Sequence, residues 1–286
     1  MFYLYLLLSS VCSLLIAHLL KLTEVKKLRT LNTLMVNYLV AFIVAFGVGF
    51  TEQQSAEWVV RPSVPVLLFC LVIGAFFIGN FIAYSKSVHA NGMGISVAAM
   101  RLSLLVPVLL SVIIYSEVMS GPKILGIVLV VGALLLLISR GRNIRIGNLD
   151  ASWLLLIIFL LTGFADASLK VYNEEFSLAF SESIFMAWIF LSAFIIGLVL
   201  AIFRKGSLAT WEEVKMGMLI GIPNLYSAIF LIYALDGISG AVAFPIVNTL
   251  NVLGGTFLGL WFWDDIVSQK QWGGIAIAII AILLLV

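Results

Sequence analysis

The sequence predicts an all-α integral membrane protein with ten transmembrane helices, arranged as two inverted five-helix repeats. Three observations lead to this prediction: the composition is strongly apolar, ten apolar runs have helical length, and the chain repeats itself after about half its length. Of the 286 residues, 63% are hydrophobic and 10% are charged, and the mean hydropathy is +1.20. Soluble globular chains are about half apolar and a quarter charged, so this composition is typical of a protein that lies in lipid.

Ten apolar runs, each bounded by charged or turn residues, divide the chain. They comprise residues 2–20, 32–50, 64–87, 93–115, 123–139, 152–172, 183–203, 214–235, 239–263 and 272–286. A helix needs about 20 residues to cross a hydrocarbon layer of about 30 Å. Ten such helices leave only short loops, so the chain has no room for a soluble catalytic domain. The runs are continuous rather than alternating, which excludes a membrane β-barrel.

The lysines and arginines are distributed unevenly among the loops between these runs. The odd-numbered loops collect twelve of them, whereas loops 2, 4 and 6 collect three. Because cytoplasmic loops are enriched in Lys and Arg, we expect a multi-pass protein of the cell (inner) membrane with both termini outside the cytoplasm. The net charge of +2 gives no support for a nucleic-acid partner. Cys12 and Cys70 lie inside apolar runs and are expected to be buried thiols, and a homodimer is left open.

An internal repeat with an offset of about 147 to 149 residues divides the chain into residues 1–140 and 150–286. The matched positions in the first and second halves are Lys21 and Lys170, Tyr84 and Tyr233, and Glu117 and Asp264-Asp265. Because each half has an odd number of helices, the second half enters the membrane upside down relative to the first. Inverted repeats are common in secondary transporters, whose substrate site lies at the repeat interface near the middle of the membrane.

These features resemble a known family. The segments ending in Tyr84 and Tyr233 are followed by small-residue turns, the acidic turn Ser116-Glu117 follows the fourth run with Pro107 upstream, and the fifth run is rich in glycine. The pattern resembles the drug/metabolite transporter superfamily, and within it the ten-helix EamA-like proteins.

The resemblance implies two EamA-like repeats, with helices 1, 3, 4, 6, 8 and 9 around a central cavity and helices 5 and 10 at the periphery. Two departures concern the subfamily and the substrate more than the fold. Gly254-Gly255 stands where the first half has Pro107, and Ser116 stands where a glycine often precedes the acidic residue.

Three charged residues fall at membrane depth, where a charge costs about 2.5–3.5 kcal/mol on insertion scales and therefore suggests function. Arg101 can hold a carboxylate or phosphate with two parallel hydrogen bonds; the alternatives are a structural ion pair with Asp166 or a side chain that snorkels. Asp166 can bind a substrate amine or a coupling proton, and its alternative is a local pair with Lys170, four residues further along one helix face. Lys170 itself is interpreted as snorkelling to the membrane interface.

Amide and aromatic side chains form stripes on three helices. At helical spacing, such stripes fit either a ligand cavity with a few placed polar groups or hydrogen bonds that join helices. We predict a cavity for helices 3, 8 and 9, and helix–helix hydrogen bonding for Asn37. The predicted substrate-binding residues are Arg101, Asp166, Asn80, Tyr84, Asn224, Tyr226, Tyr233, Asn248 and Asn251.

The predicted function is secondary transport, most naturally export, of a small polar metabolite such as an amino acid, by alternating access and with a coupling proton as an option. A lipid-linked substrate flippase or a channel-like facilitator is the alternative. A membrane enzyme is disfavoured, because Asp264-Asp265 is the only aspartate pair that could bind Mg²⁺. ATP hydrolysis has no support either, since no G-x-x-x-x-G-K-[ST] sequence occurs. No cofactor or metal is expected.

Overall fold

The computed structural model describes residues 1–52, 63–91, 93–138, 152–203, 209–262 and 268–286. Every regular element in these ranges is helical. The α-helices are α1 (Phe2–Val25), α2 (Thr30–Glu52), α3 (Val64–Asn91), α4 (Met93–Leu102), α5 (Leu105–Ile113), α6 (Gly121–Ile138), α7 (Ser152–Val171), α8 (Glu182–Phe203), α9 (Trp211–Leu235), α10 (Gly240–Phe262) and α11 (Gln269–Leu285). A π-helical turn, Tyr172–Phe176, continues α7.

The protein is a helical membrane protein. Within the described residues, eight segments are long and apolar enough to cross a membrane. They correspond to α1, α2, α3, α4 with α5, α7 with its π-turn, α8, α9 and α10. Two shorter apolar helices, α6 and α11, occupy the fifth and tenth predicted runs. The predicted all-α membrane class is therefore confirmed.

The fourth apolar run is divided by a break between α4 and α5. A proline has no N–H to donate to the carbonyl four residues earlier, and for Pro107 that carbonyl belongs to Ser103. The Ser103 carbonyl instead accepts a hydrogen bond from the Val106 N–H at 2.9 Å. The break therefore lies just upstream of Pro107, and it leaves Arg101 in the last turn of α4.

Close helix packing depends on glycines. A Cβ atom placed on Gly217 would lie 2.7 Å from the Thr33 carbonyl oxygen, and one on Gly221 would lie 2.9 Å from the Asn37 carbonyl oxygen. These contacts let α9 lie directly on α2, so the Gly217-to-Gly221 spacing serves close packing, as a small-xxx-small pattern usually does in membranes.

Matched helices of the two sequence halves run antiparallel against each other. A Cβ on Gly126, near the start of α6, would lie 3.3 Å from the carbonyl oxygen of Ala281, near the end of α11. Conversely, a Cβ on Gly274, near the start of α11, would lie 3.2 Å from the carbonyl oxygen of Ala133 in the second half of α6. The pair α2 and α8 behaves in the same way, since Gly49 lies against Ile184 and Gly197 against Met35.

Burial is concentrated at one end of the bundle, which we call the packed end: the C-terminal ends of α7 and α9 and the N-terminal ends of α8 and α10. Residues 240–249 of α10 are all buried, whereas residues 254–262 are mostly partly or fully exposed. Four of the largest fully buried side chains lie there, Tyr172, Phe185, Phe190 and Phe244. In α10, the described residues at the packed end are thus more deeply buried than those at the opposite end.

Candidate functional site

A cavity of about 210 Å³ lies among α1, α3, α4, α7, α8, α9 and α10. Its wall draws on both sequence halves. Three phenylalanines and two methionines supply much of the apolar lining, namely Phe77, Phe190, Phe244, Met100 and Met186. The polar lining residues are Ser9, Ser13, Arg101, Thr162, Asp166, Asn224, Ser227, Asn248 and Asn251. An apolar wall with a few placed polar groups is the usual construction of a small-ligand pocket.

Two opposite charges face this cavity. Arg101 reaches it from the end of α4 and Asp166 from the middle of α7, and the two side chains interact electrostatically. Among the described residues, however, no carboxylate oxygen lies within 4.0 Å of the Arg101 guanidinium. Arg101 and Asp166 therefore do not form the ion pair that was considered as an alternative role for Arg101.

Several cavity-lining polar atoms are buried without a hydrogen-bond partner. They are Nε of Arg101, Oγ1 of Thr162 and Oδ1 of Asn251. Buried polar groups in native proteins are nearly always hydrogen-bonded to protein or water, and leaving one unmade costs about 1–3 kcal/mol. Three such atoms on the wall of one cavity can form hydrogen bonds with a polar ligand or with ordered water.

Other polar groups of the wall are already engaged. The Asn224 side-chain amide donates to Oδ1 of Asn37 at 3.1 Å, which joins α9 to α2 and matches the helix–helix role predicted for Asn37. The Asn248 amide donates to the Phe244 carbonyl in its own helix, and the Ser9 hydroxyl donates to the Ser227 carbonyl at 2.7 Å. These three groups therefore already have hydrogen-bond partners within the protein.

Five of the nine predicted site residues line the cavity: Arg101, Asp166, Asn224, Asn248 and Asn251. The other four are outside its lining. The Tyr226 ring packs against Phe230 at 5.7 Å, and the Tyr233 ring lies 5.4 Å from Tyr5. Tyr84 packs against a buried cluster that includes Leu154 and Ile158 of α7, and it interacts electrostatically with Arg101. Asn80 has a buried carbonyl oxygen without a hydrogen-bond partner.

The sequence analysis missed the hydroxyl groups of the wall. Thr162 precedes Asp166 by four residues, so the two share a helix face, and this spacing was a readable signal. Ser9 and Ser13 have the same spacing on α1, but serines recur in membrane helices as helix–helix contacts. Nothing in their spacing alone separates a cavity wall from such a contact.

Lys170 corrects a prediction. Its side chain does not snorkel, because only 3% of it is exposed. The ammonium group lies 2.8 Å from the Glu117 carboxylate and forms a second ion pair with Glu174. The local pair of Asp166 with Lys170, considered as the alternative for Asp166, is also wrong, since the lysine is held by these two glutamates.

A larger hollow, of about 330 Å³, lies between α1 and α10. Its wall is almost wholly apolar, with Val11, Leu14, Leu15, Leu258 and Phe262 beside His18, and it is widely open. Because recognition of a polar metabolite needs placed polar groups, the smaller cavity is the better candidate. In the described part of the chain, no three His, Cys, Asp or Glu side chains are grouped as a metal site.

Comparison with known proteins gives a fold and no activity. No family model matches the chain. A protein of Haemophilus influenzae, described only as uncharacterized, is 26% identical over 284 residues, which cover 95% of this chain and 93% of that protein. One crystal structure is similar with a TM-score of 0.80 and 14% identity, covering 98% of this chain and 94% of the other. At that identity the likeness shows the fold alone.

Proposed function

We propose that this protein is a secondary transporter, working as an exporter, of a small polar metabolite such as an amino acid, and that it operates by alternating access. The observation that carries the proposal is the central cavity, in which Arg101 and Asp166 face one space without closing an ion pair. Charges inside a membrane protein are costly unless they are used, and they typically mark substrate or ion pathways.

The zwitterionic substrate follows from the chemistry of the wall. A guanidinium group binds a carboxylate with two parallel hydrogen bonds, and the Asp166 carboxylate complements an ammonium group or receives a coupling proton. Phe77, Phe190 and Phe244 offer apolar surface for a side chain. The unpartnered atoms of Arg101 and Thr162 would then find partners on the substrate.

Ten membrane-crossing helices in two inverted repeats are part of the proposal. Its support is the antiparallel packing of the matched pairs α6 with α11 and α2 with α8, because equivalent helices that run in opposite directions are what an inverted repeat requires. The helix contacts also occur in equivalent pairs. The contact of α1 with α9 corresponds to that of α7 with α3, and the contact of α2 with α9 corresponds to that of α8 with α3.

Membership in the EamA-like group of the drug/metabolite transporter superfamily is proposed on the same footing. The helices that this resemblance assigns to a central cavity correspond to α1, α3, α4, α7, α9 and α10. All six contribute to the cavity wall, and α8 is added through Met186 and Phe190. The peripheral helices of the resemblance, α6 and α11, contribute nothing to it.

The proposed orientation places the even-numbered loops, and hence the packed end, outside the cytoplasm. It rests on the twelve basic residues of the odd-numbered loops against three in loops 2, 4 and 6. A periplasmic reporter enzyme fused to either terminus should be active, and a cytoplasmic reporter there should be silent. An active cytoplasmic reporter at either terminus would contradict this orientation.

Ligand-induced thermal stabilisation tests the proposed function. Purified protein is screened against amino acids, sugars and nucleotides, and the ligand that raises the melting temperature is then titrated against variants. We expect a zwitterionic ligand to stabilise the wild type, and Arg101→Ala to weaken its binding at least about tenfold, since charged hydrogen bonds contribute about 1.5–3 kcal/mol. Lys86→Ala, which removes an exposed cation at the end of α3, is the control and should bind like the wild type.

The ligand screen and the two variants together either support or reject the proposed substrate site. Stabilisation of the wild type that is lost in Arg101→Ala and kept in Lys86→Ala supports the assignment. If no compound of these classes stabilises the wild type, or if Arg101→Ala responds as the wild type does, the proposed site fails.

A further inference from the structure

Lys170 lies directly beside the cavity, at its packed end. The preceding residue, Leu169, is part of the cavity wall. The Lys170 ammonium group is 2.8 Å from Oε1 of Glu117, pairs with Glu174, and sits 5.6 Å from the centre of the Tyr115 ring. A lysine this deeply buried, with two carboxylates and an aromatic face around it, is held in one position.

Glu117 connects this lysine to a third element. Its two carboxylate oxygens accept hydrogen bonds from the N–H groups of Gly240 and Ala241, both at 2.9 Å. These are the first N–H groups of α10, which have no partner within the helix and carry the positive end of its dipole. The carboxylate is therefore bound from two sides, by a buried ammonium group and by a helix N-terminus.

The cluster joins both halves of the chain across the packed end. Glu117 lies just after α5 in the first half, whereas Lys170 ends α7 and Gly240 starts α10 in the second half. Phe244, one helical turn beyond Gly240, lines the cavity. A turn of helix rises about 5.4 Å, so the cluster lies about one turn from the cavity wall, on the side of the packed end.

We propose that Lys170, Glu117 and the N-terminus of α10 form a latch that closes the substrate pathway at the packed end and opens once in each transport cycle. This inference rests on the proposed transport function. Alternating access requires contacts between the two halves that exist in one state and are absent in the other. The latch consists of such contacts, and each of its bonds can be broken without disturbing the interior of any helix.

Glu174 provides a matched control. It pairs with the same ammonium group, but it lies four residues after Lys170 on the same helical segment and its side chain is 39% exposed. Its contact with Lys170 therefore does not connect α7 to another helix. Glu117→Gln removes the charge that holds α5 to α7, and Glu174 remains to neutralise Lys170. Glu174→Gln leaves the latch complete.

Labelling of a cavity cysteine measures the opening. In a Cys12→Ser, Cys70→Ser background, Ser13→Cys places a thiol on the cavity wall. Sealed vesicles of both orientations are treated with a membrane-impermeant maleimide. From the packed end, Glu117→Gln should raise the labelling rate about tenfold, equivalent to about 1.4 kcal/mol in the opening equilibrium, whereas Glu174→Gln should label as the parent does. From the opposite end, Glu117→Gln should label more slowly.

A disulfide between α5 and α10 gives a second, independent test. A Cβ on Gly240 would lie 2.2 Å from Oγ of Ser111 on α5, so cysteines at the two positions fall within disulfide reach. The oxidised Ser111→Cys, Gly240→Cys protein should resist labelling of Ser13→Cys from the packed end and should regain it after reduction. It should also stop transport reversibly.

Equal labelling of Glu117→Gln and Glu174→Gln from the packed end would overturn the latch, and so would free labelling from that end in the oxidised double-cysteine protein. Neither labelling measurement needs a substrate. If the ligand screen fails but Glu117→Gln labels faster from the packed end, the proposed substrate site is rejected and the latch is kept. If a ligand binds but the labelling rate does not change, the latch is rejected and the substrate site is kept.

Discussion

Two groups of charges on α7 lie one helical turn apart and differ in how they are neutralised. Asp166 faces the cavity together with Arg101, and the two are not in ion-pair contact. Lys170, four residues later, is held by Glu117 and Glu174. The Lys170 contacts join α7 to the turn after α5, whereas Arg101 and Asp166 form no ion pair with each other. In the proposed function, this difference separates charges that join helices from charges that bind a ligand.

The physical basis of this difference is the cost of an uncompensated charge. Breaking a buried ion pair by removing one partner typically costs about 3–5 kcal/mol, because the other charge stays behind without compensation. Removing a charge that has no close partner incurs no such loss and relieves its own desolvation. Substitution in the Lys170 group should therefore lower stability, whereas removal of the Arg101 charge should leave stability unchanged or raise it and should weaken ligand binding.

The largest expected effect is on the stability of the latch. Lys170→Met leaves Glu117 and Glu174 without their cation and should lower the free energy of unfolding by about 3 kcal/mol. The value falls at the low end of the range for buried pairs, since Glu174 is partly exposed and Glu117 keeps its two backbone donors. Denaturant titration in detergent micelles, followed by helical circular dichroism, measures the change.

The matched variant is Arg101→Leu, which removes the cation of the cavity. Here the free energy of unfolding should be unchanged or higher, while ligand-induced stabilisation is lost. A loss as large as that in Lys170→Met would mean that Arg101 holds the structure together, and the distinction between the two groups of charges would disappear.

Much of the fold could be predicted from local sequence, because lipid leaves a helix few alternatives. The apolar runs became helices, and the break between α4 and α5 lies where Pro107 has no N–H to donate. The contacts of Lys170 could not be predicted in this way. Its partner Glu117 lies 53 residues earlier in the chain, and only the packing of α5 against α10 and α7 brings the two together. The nearer candidate in sequence, Asp166, was considered only as an alternative partner, and Lys170 pairs with the two glutamates instead.

The candidate site was predicted in part for the same reason. Arg101 and Asp166 were found because a charge inside an apolar run is conspicuous in any fold. Tyr226 and Tyr233 were placed in the site by their spacing on α9, but spacing defines a helix face and not which neighbour that face meets. In the structure the rings of that stripe pack on Phe230 and Tyr5.

The smallest expected effect concerns the turn that presents Glu117 to the latch. Ser116 has φ +53°, in the left-handed region where a Cβ costs about 1–2 kcal/mol. Ser116→Gly removes this strain at the expense of about 0.5–1 kcal/mol of extra unfolded-state entropy, so it should raise the free energy of unfolding by roughly 0.5 kcal/mol. Ser177→Gly is the control: Ser177 lies in an exposed turn with φ −59°, where a side chain causes no strain, and the same replacement should lower stability.

Because the strain lies in the backbone that positions Glu117, Ser116→Gly should also slow labelling of Ser13→Cys from the packed end. Equal changes in both glycine variants would show that the turn at Ser116 stores no strain and that the latch is held by its charges alone.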